Sequence, residues 1–554
     1  MAKPQFLKCH ECGNEQAYEP LKPTVCTRCQ SGWVDANYDY PRFKREILRG
    51  LPGRIFNLWR YHEVLPIESP SNLDLDITAG GTPMRIPRRY LSEYYQYSTL
   101  FIKDERYGPT SSFKDRQAAV SVVAMKEAGV QEAVIASTGN AAVAYAAACA
   151  RAGIKLWVFM TSLVPSEKLR EVALFGAEVV KVSGTYDQAK QIAAEFAKRR
   201  DLLLDRGARS LAARESMKTI AYEIVEQLGW QAPDWYIQSV SGGLGPLGVY
   251  HGFEELYQMG LIDKIPSLAV IQAEGCSPMV TAFKQGMRTA EPITPKTRIA
   301  ILSTGDPGTA YSYLWDLIKK YGGTMEAVED NEAFSTMRNL AKTEGLAVEP
   351  AASVAFAGLE KMLFARTIKE GEVVVINCTG HTFPVEKHVL GDQWGVDIRV
   401  DESAMPIQDG LHAALEILDE KTRTVLIIDD NPDDAHLIRR FLEARKLYRV
   451  YHANNARKGL EQARELLPGL IVLDLTMPGM DGFSVIEELK SDRRTEQIPV
   501  IVVSAKDITI ADRERLNGNI QALYQKGSLP PREFVDKVVK VIENKPSEKL
   551  KGDS

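Results

Sequence analysis

The sequence predicts an α/β protein with a small cysteine-rich segment at its N-terminus and a separate parallel sheet near its C-terminus. Two observations support this fold class: two Cys-x-x-Cys pairs stand close to the start, and from Thr424 onward short apolar runs alternate with helical patterns. With 554 residues, 45% of them hydrophobic, the chain is too long for one core. We place its parts at 1–45, 46–390, 391–422 (a linker), 423–545 and 546–554 (a polar tail).

The N-terminal segment has the cysteine spacing of a zinc ribbon. Cys9 and Cys12 form one pair, Cys26 and Cys29 form the other, and thirteen residues separate the pairs. Four thiolates satisfy a tetrahedral Zn²⁺, and so small a segment needs a metal in order to fold. We therefore expect a structural zinc with no open coordination position, remote in role from any chemistry. The alternatives are redox pairs or disulfides, which a cytosolic protein disfavours.

In the central part, a lysine stands in a short polar loop before a helical pattern. Lys114 follows Gly-Pro-Thr-Ser-Ser-Phe at 108–113 and precedes the pattern over Gln117–Gly129. Partial desolvation near a helix start lowers the pKa of a lysine, so that its amine can form a Schiff base with an aldehyde. The alternative is an ordinary solvated lysine at the start of a helix.

Three later segments favour a ligand site around this lysine. A predicted strand leads through a turn ending in Asn140 to an alanine-rich helix, and that amide could bond the phenolic oxygen of a ring. A second strand runs into Ser241-Gly-Gly-Leu-Gly245, whose backbone N–H groups can surround a phosphate at a helix N-terminus. The third strand, Val373–Cys378, ends in the hydroxyl of Thr379, which could meet a pyridine nitrogen.

The glycine segment also fits a dinucleotide-binding pattern, as Gly243-Leu-Gly-Pro-Leu-Gly248. However, it lies far from the start of its domain, and no acidic residue ends a second strand about 20 residues further on. A nicotinamide site is therefore the less favoured interpretation.

In order and content these motifs resemble the fold-type II pyridoxal-phosphate enzymes, and among them the threonine synthases. The resemblance covers about residues 1–390 and includes Gly80-Gly-Thr-Pro83, Lys103-Asp-Glu105, Lys218-Thr-Ile-Ala-Tyr-Glu-Ile224, Ile271-Gln-Ala-Glu-Gly275 and Val348-Glu-Pro-Ala351. It implies a two-subdomain fold that binds pyridoxal 5′-phosphate. The residues it implies are Lys114 as the catalytic Schiff-base lysine, Asn140 at the ring 3′-oxygen, Gly242, Gly243, Leu244 and Gly245 at the phosphate, and Thr379 at the ring nitrogen.

The same resemblance implies an activity. A neutral hydroxyl at the ring nitrogen does not hold the pyridine protonated, which suits elimination or replacement on an amino acid. A threonine synthase-like enzyme is a lyase of amino-acid biosynthesis that converts O-phosphohomoserine to threonine, and we expect a homodimer. In some threonine synthases a zinc ribbon precedes the catalytic domain, and the two cysteine pairs of this sequence stand at the same place.

The substrate-binding stretch departs from the family pattern. Threonine synthases hold the substrate phosphate with an arginine and an asparagine–serine pair, and the corresponding positions here are Ala213, Gly207 and Ala208. A guanidinium reaches phosphate from more than one backbone position, so Arg209 or Arg214 could substitute.

The loop before Lys114 (residues 108–113), which we call the lysine loop, also departs from the family pattern. Gly108 stands where asparagine is usual, and Ser111 stands where glycine is usual.

The C-terminal part has the alternating pattern of a doubly wound, five-stranded parallel sheet. The strands are predicted at Val425–Ile428, Arg449–His452, Leu470–Leu473, Val500–Val503 and Ala522–Tyr524, and the helices at Asp434–Ala444, Asn455–Leu466, Phe483–Ser491, Ile510–Leu516 and Arg532–Glu543. Polar residues at the carboxyl ends of these strands should converge. They are Asp429, Asp430, Asp474, Ser504 and Lys526.

Three carboxylates can hold Mg²⁺ while one of them attacks phosphorus. The block, including Asp474-Leu-Thr-Met-Pro-Gly-Met-Asp-Gly482, resembles the receiver domain of two-component response regulators. The resemblance implies phosphorylation of Asp474 by a histidine kinase or phosphotransfer protein. It also implies magnesium ligation by Asp429, Asp430, Asp474 and the Thr476 carbonyl, with Ser504 and Lys526 at the phosphoryl oxygens. Leu523 stands where the family commonly has an aromatic switch residue, and Gly527 where proline is usual.

Composition excludes several classes of function. The net charge of −5 and the lack of a basic stripe argue against a nucleic-acid partner. Neither a membrane span nor the apolar core of a signal peptide is present, so we expect the cytoplasm. Two hypotheses follow: an amino-acid lyase or synthase modulated by phosphorylation, and a non-catalytic signalling or scaffold protein of a phosphorelay.

Overall fold

The computed structural model describes residues 4–21, 25–68, 77–91, 99–137, 139–162, 164, 166–381, 396–399, 423–443, 448–505, 509–516 and 518–525. They belong to two compact units, Met1–Asp401 and Glu402–Ser554. Within these described segments, no helix has both the length and the apolar character needed to cross a membrane.

The first unit contains one small antiparallel sheet, two larger sheets and the helices that cover them. Its strands are β1 (Phe6–Cys9), β2 (Glu15–Gln16), β3 (Val34–Asn37), β4 (Met84–Arg85), β5 (Thr99–Asp104), β6 (Glu132–Ala136), β7 (Lys155–Thr161), β8 (Glu178–Ser183), β9 (Leu203–Asp205), β10 (Trp235–Ser239), β11 (Ser267–Ala273), β12 (Gly323–Val328), β13 (Val373–Cys378) and β14 (Val396–Arg399). Its helices are α1 (Tyr40–Gly50), α2 (Lys114–Glu127), α3 (Asn140–Ala152), α4 (Ser166–Leu174), α5 (Tyr186–Arg199), α6 (Leu211–Gln227), α7 (Leu244–Gln258), α8 (Pro278–Lys284), α9 (Thr309–Tyr321), α10 (Asp330–Glu344) and α11 (Pro350–Phe364).

The cysteine pairs lie on and beside a three-stranded antiparallel sheet of order β2-β1-β3, and we call this segment the ribbon (residues 4–21 and 25–38). Cys9 at the end of β1 pairs with Val34 at the start of β3. The expected boundary at residue 45 falls inside α1, which buries Phe43 and Ile47 in the same core as Val34. The ribbon is therefore packed onto the rest of the unit rather than separated from it.

Two mostly parallel sheets form the two subdomains. One has the order β12-β11-β10-β13-β5-β4, in which only β4 runs antiparallel, and the other has the order β14-β8-β7-β6-β9. Continuous apolar runs such as Val373–Cys378 form these strands because parallel sheets are covered by helices on both faces. The turns after β6, β10 and β13 carry Asn140, the glycine loop and Thr379, and Lys114 begins α2.

One strand comes from the stretch predicted as a linker. Val396–Arg399 pairs in parallel with Glu178–Ser183 at the edge of the second sheet. Its sequence Val-Asp-Ile-Arg alternates apolar and polar side chains, which is typical of a strand with one buried face, but it is too short to stand out from its irregular surroundings.

The second unit is the predicted five-stranded parallel sheet. Its strands are β15 (Arg423–Ile428), β16 (Tyr448–Ala453), β17 (Leu470–Leu473), β18 (Val500–Ser504) and β19 (Ala522–Gln525), in the order β16-β15-β17-β18-β19, and its helices are α12 (Pro432–Glu443), α13 (Ala456–Leu466), α14 (Gly482–Ser491) and α15 (Ile510–Leu516). All four strand pairings are parallel. The doubly wound prediction is confirmed. The predicted helix Arg532–Glu543 and Lys526 lie outside the described residues.

Candidate functional site

A cavity of about 880 Å³ opens between the two large sheets of the first unit. Its walls come from the carboxyl ends of β6, β10 and β13 and from the first residues of α2, α3 and α7. All seven residues expected around the cofactor line it: Lys114, Asn140, Gly242, Gly243, Leu244, Gly245 and Thr379. Segments that are up to 265 positions apart in the sequence therefore meet at one place.

The lysine loop is attached to the end of β13. The N–H of Phe113 donates to the carbonyl of Thr379 at 3.0 Å, and the N–H of His381 donates to the carbonyl of Ser111 at 2.9 Å. These backbone bonds fix the first residue of α2, Lys114, next to the end of β13, and both Lys114 and Thr379 line the cavity. The helix begins three residues earlier than the apolar pattern predicts, because the polar Lys114-Asp-Arg116 forms its first turn.

The Lys114 side chain is half-buried and its amine is held by a neighbour. Its Nζ donates to Gln117 Oε1 at 3.2 Å and lies 4.6 Å from the centroid of the Phe113 ring. Burial lowers the pKa of Lys114 to about 8, although the negative charge of Asp205 opposes this effect. The amine of Lys114 is thus neutral, and nucleophilic, at lower pH than that of an ordinary lysine.

Asn140 is held by a carboxylate that sequence reasoning did not single out. Asn140 is buried, and its Nδ2 donates to Glu349 Oε1 at 2.7 Å. Burial raises the pKa of Glu349, and in the described part of the chain its Oε2 has no hydrogen-bond partner. Glu349 belongs to the Val348-Glu-Pro-Ala351 motif, which was the signal that could have identified it.

The glycine loop before α7 has the shape of a phosphate cradle. Gly243 has a φ of +84°, which favours glycine, and a Cβ at Gly245 would lie 2.2 Å from Gln238 Nε2. The space beside Gly242 is open, since the nearest atom to a Cβ there, Thr304 Oγ1, is 4.0 Å away. The N-terminus of a 15-residue helix adjoins this space, and its N–H groups suit a phosphate. The residues present therefore fit pyridoxal phosphate.

Two arginines stand at the edge of the cavity. Arg206 and Arg209 line it, and we call residues 206–209 the arginine edge. Arg214, the other arginine that could substitute for the family's phosphate ligand, is buried and donates instead to the Val34 carbonyl of the ribbon. The geometry favours Arg209 over Arg214 for an anion. Arg206 was not proposed from the sequence, although it belongs to the same stretch.

Beneath the lysine lies a buried network of charged side chains. Arg116 Nη1 donates to Glu223 Oε1 at 2.6 Å, and Arg116 Nη2 donates to Glu105 Oε1 at 2.7 Å. Lys103 Nζ donates to Glu223 Oε2 at 2.7 Å. Burial alone would raise the pKa of Glu223, but Arg116 and Lys103 hold it at about 2. The network joins four of the motifs that were noted in the sequence, because Thr82 also contacts Glu105.

The four ribbon cysteines come together as their spacing predicts. Their Sγ atoms lie within 4.8 Å of one another, with Cys9 and Cys29 3.5 Å apart and Cys12 and Cys26 3.6 Å apart. These distances exceed an S–S bond and are close to the edge of a tetrahedron with Zn–S bonds of about 2.3 Å. The thiolate set therefore fits Zn²⁺.

In the second unit the predicted acidic residues also meet. Carboxylate oxygens of Asp429, Asp430 and Asp474 lie within 4.8 Å of one another. Asp429 and Asp474 are buried, whereas Asp430 is exposed. Asp474 Oδ1 accepts from the N–H of Thr476 at 3.0 Å, and Thr476 Oγ1 is 3.4 Å from Ser504 Oγ.

Each of the two units contains a match to a known family. Residues 75–380 match the pyridoxal-phosphate dependent enzyme family, and residues 425–527 match the response regulator receiver domain. Threonine synthase from Methanocaldococcus jannaschii is 34% identical over 377 residues, which are 68% of this chain and 91% of that protein. Threonine synthase from a Synechocystis species is 31% identical over 360 residues, 65% of this chain and 88% of that protein.

The solved structure of a processed threonine deaminase isoform from Solanum lycopersicum is 18% identical, with a TM-score of 0.46 over 65% of this chain and 92% of that one. Family membership rests on the sequence matches above. The chain belongs to the pyridoxal-phosphate dependent enzymes as a threonine synthase-like lyase with a C-terminal response regulator receiver domain.

Proposed function

We propose that this chain converts O-phosphohomoserine to threonine, with Lys114 as the lysine that binds the cofactor. The observation that supports this most is the common cavity of Lys114, Asn140, the glycine loop and Thr379, with two guanidinium groups at its edge. When bound, pyridoxal phosphate withdraws electrons from the substrate Cα and makes elimination and replacement possible.

Each residue of the cavity has a task in this proposal. Lys114 Nζ takes and returns protons at the substrate carbons, since its pKa of about 8 lies near neutral pH. Asn140, oriented by Glu349, binds the ring 3′-oxygen. The N–H groups of residues 242–245 bind the cofactor phosphate. The Thr379 hydroxyl meets the ring nitrogen without protonating it.

Arg206 and Arg209 would bind the phosphate of the substrate. Bidentate guanidinium contacts suit a phosphate that leaves during the reaction, because they stabilise its growing charge. The family arginine position is occupied by the fully buried Ala213, so the substrate phosphate depends on the arginine edge here.

The test follows release of inorganic phosphate and formation of threonine from O-phosphohomoserine by the full chain. Arg209→Ala should raise the KM by about tenfold or more, the scale of a lost charged hydrogen bond. The matched control is Arg199→Ala, which removes an exposed arginine of α5 that pairs with Glu195. Turnover of other amino acids but not of O-phosphohomoserine would reject this substrate.

We also propose that phosphorylation of Asp474 modulates the enzyme. Asp429, Asp430, Asp474 and the Thr476 carbonyl would hold Mg²⁺, and Ser504 and Lys526 would contact the phosphoryl oxygens. Support comes from the receiver family match and from the three converging carboxylates. A histidine kinase or a phosphotransfer protein would be the partner that supplies the phosphoryl group.

The ribbon would bind one structural zinc.

A further inference from the structure

Trp33 belongs to the ribbon but lines the same cavity as Lys114. It follows the second cysteine pair by four residues and is only 5% exposed. A residue of the metal-binding segment thus forms part of the wall of the cavity. This arrangement differs from the expectation that the ribbon is remote from the chemistry.

The backbone of Trp33 depends on both cysteine pairs. His10, which stands between Cys9 and Cys12, donates its N–H to the Trp33 carbonyl at 3.3 Å. On the other side, the Trp33 N–H donates to Ser31 Oγ at 3.3 Å, and the Ser31 carbonyl accepts from the N–H of Cys26 at 2.8 Å. The backbone of Trp33 is therefore tied to both segments that carry the cysteine pairs.

The indole contacts two side chains of the catalytic part. The Arg214 guanidinium carbon lies 4.3 Å from the ring centroid, and the Tyr313 ring lies 4.5 Å away at an interplanar angle of 35°. Such cation–π and aromatic contacts favour one orientation of the ring. Arg214 also donates to the Val34 carbonyl, so the ribbon and α6 are joined at two adjacent positions.

Both partner helices begin at the cavity. The arginine edge directly precedes α6, which carries Arg214, and the first residues of α9, Thr309 and Ala310, line the cavity one turn before Tyr313. Trp33 consequently connects the four-cysteine site to the side of the cavity that carries Arg206 and Arg209. The glycine loop follows β10 and Lys114 is attached to β13, so each has a support of its own besides the helices that contact Trp33.

We infer that Trp33 is a positioning residue through which the metal-bound ribbon holds the arginine edge in place. This inference rests on the proposed function, because it takes the cavity as the active site. Loss of the metal then loosens the substrate side of the site and leaves the cofactor side in order.

Amide hydrogen exchange of the full-length holoenzyme tests this directly. In Trp33→Leu, peptides that cover residues 205–211 should exchange several-fold faster than in the wild type, while peptides that cover 239–245 should not change. Trp33→Phe keeps an aromatic ring and should restore most of the protection. The matched control is Trp315→Leu, which removes an aromatic residue of α9 that packs on Phe283 at 5.5 Å.

Removal of the metal should have the same effect as loss of the indole. Cys12→Ser should accelerate exchange over 205–211, and the double variant with Trp33→Leu should add nothing, since both changes act through one connection. Wild-type exchange over 205–211 in Trp33→Leu would overturn the inference, as would equal acceleration over 239–245. If Trp33→Leu does not fold, Trp33→Met decides, because unchanged exchange over 205–211 without an aromatic ring at this position would also overturn the inference.

The readout needs no substrate. A protein that leaves O-phosphohomoserine unchanged but shows this exchange pattern would disprove the proposed reaction and keep the inference. If the protein makes threonine, but Trp33→Leu changes amide exchange over 205–211 and over 239–245 equally, the inference is wrong and the proposed reaction stands.

Discussion

Phe113 and Thr379 are joined by a backbone hydrogen bond of 3.0 Å from the N–H of Phe113 to the carbonyl of Thr379. The bond links the residue before the proposed Schiff-base lysine to the residue proposed at the ring nitrogen. The residues proposed to contact opposite ends of the cofactor ring would therefore be held together, because the loop before Lys114 is hydrogen-bonded to the residue after β13.

The lysine loop carries a strained residue whose replacement should stabilise the protein. Ser111 has a φ of +58°, a left-handed conformation that costs a non-glycine residue about 1 kcal/mol. Ser111→Gly should raise the free energy of unfolding by about 1 kcal/mol, measured by urea denaturation followed through cofactor absorbance. Gly108→Ala should have the opposite sign, because a Cβ there would lie 2.1 Å from Asp115 Oδ2. A loss of stability in Ser111→Gly would contradict this.

Cofactor attachment should depend on pH through the Lys114 amine. Burial lowers the pKa of Lys114 to about 8, so the rate of attachment to the apoprotein should rise toward that pH and level off above it. Borohydride reduction followed by mass spectrometry should find the adduct on Lys114. Lys114→Ala should abolish this adduct. Lys190→Ala, which removes another lysine of the cavity that pairs with Asp187, should not. A rate still rising near pH 10, as for an ordinary lysine, would reject the lowered pKa.

Removing one carboxylate of the buried network should be costly. Glu223→Gln leaves Arg116 and Lys103 without their shared partner, and uncompensated buried charges cost about 3–5 kcal/mol. Urea denaturation of the holoenzyme measures the loss. Glu46→Gln breaks an exposed pair with Arg42 and should change stability little. Similar small effects in both variants would show that Glu223 is not structurally essential.

The ribbon should hold a single zinc ion. Elemental analysis of Cys12→Ser should find the metal lost, while Cys149→Ser, which changes a buried cysteine of α3, should keep it. The cofactor absorbance should persist in both, because Lys114 and the glycine loop are positioned by β13 and β10. Loss of the cofactor together with the metal would refute this separation.

Asp474 should accept a phosphoryl group from acetyl phosphate when Mg²⁺ is present. Asp474→Asn should incorporate none, and Asp492→Asn, at a surface ion pair with Arg464, should behave as the wild type. Coupling of about 1–3 kcal/mol predicts a several-fold change in turnover on phosphorylation. Incorporation that persists in Asp474→Asn would exclude this residue, and turnover unaffected by phosphorylation would exclude regulation of catalysis.

The elements that the sequence predicted best are those with strong local patterns. The receiver strands agree within two residues because each is a short apolar run between polar turns, and Asn140, the glycine loop and Thr379 each follow a run of the same kind in the first unit. The element that the sequence analysis missed depends on tertiary contacts. Strand Val396–Arg399 needs its partner Glu178–Ser183 to be recognised.

The direction in which a side chain points could not be predicted from the sequence either. Arg209 and Arg214 are chemically equivalent in the sequence, and only the packing of α6 against the ribbon directs Arg214 away from the cavity. The same packing brings Trp33 to the cavity wall, which no local pattern near Cys29 indicates. Glu349 was part of a recognised motif, but its bond to Asn140 spans 209 positions.

The balanced charges beneath Lys114 have a consequence for sequence divergence. Two cations, Lys103 and Arg116, and two carboxylates, Glu105 and Glu223, are buried together, and in the part of the chain that the structure describes they form ion pairs with one another. A lineage that replaces one of them with a neutral residue should replace an oppositely charged one as well. Related chains are therefore expected to show these four positions changing together, as a single inherited character.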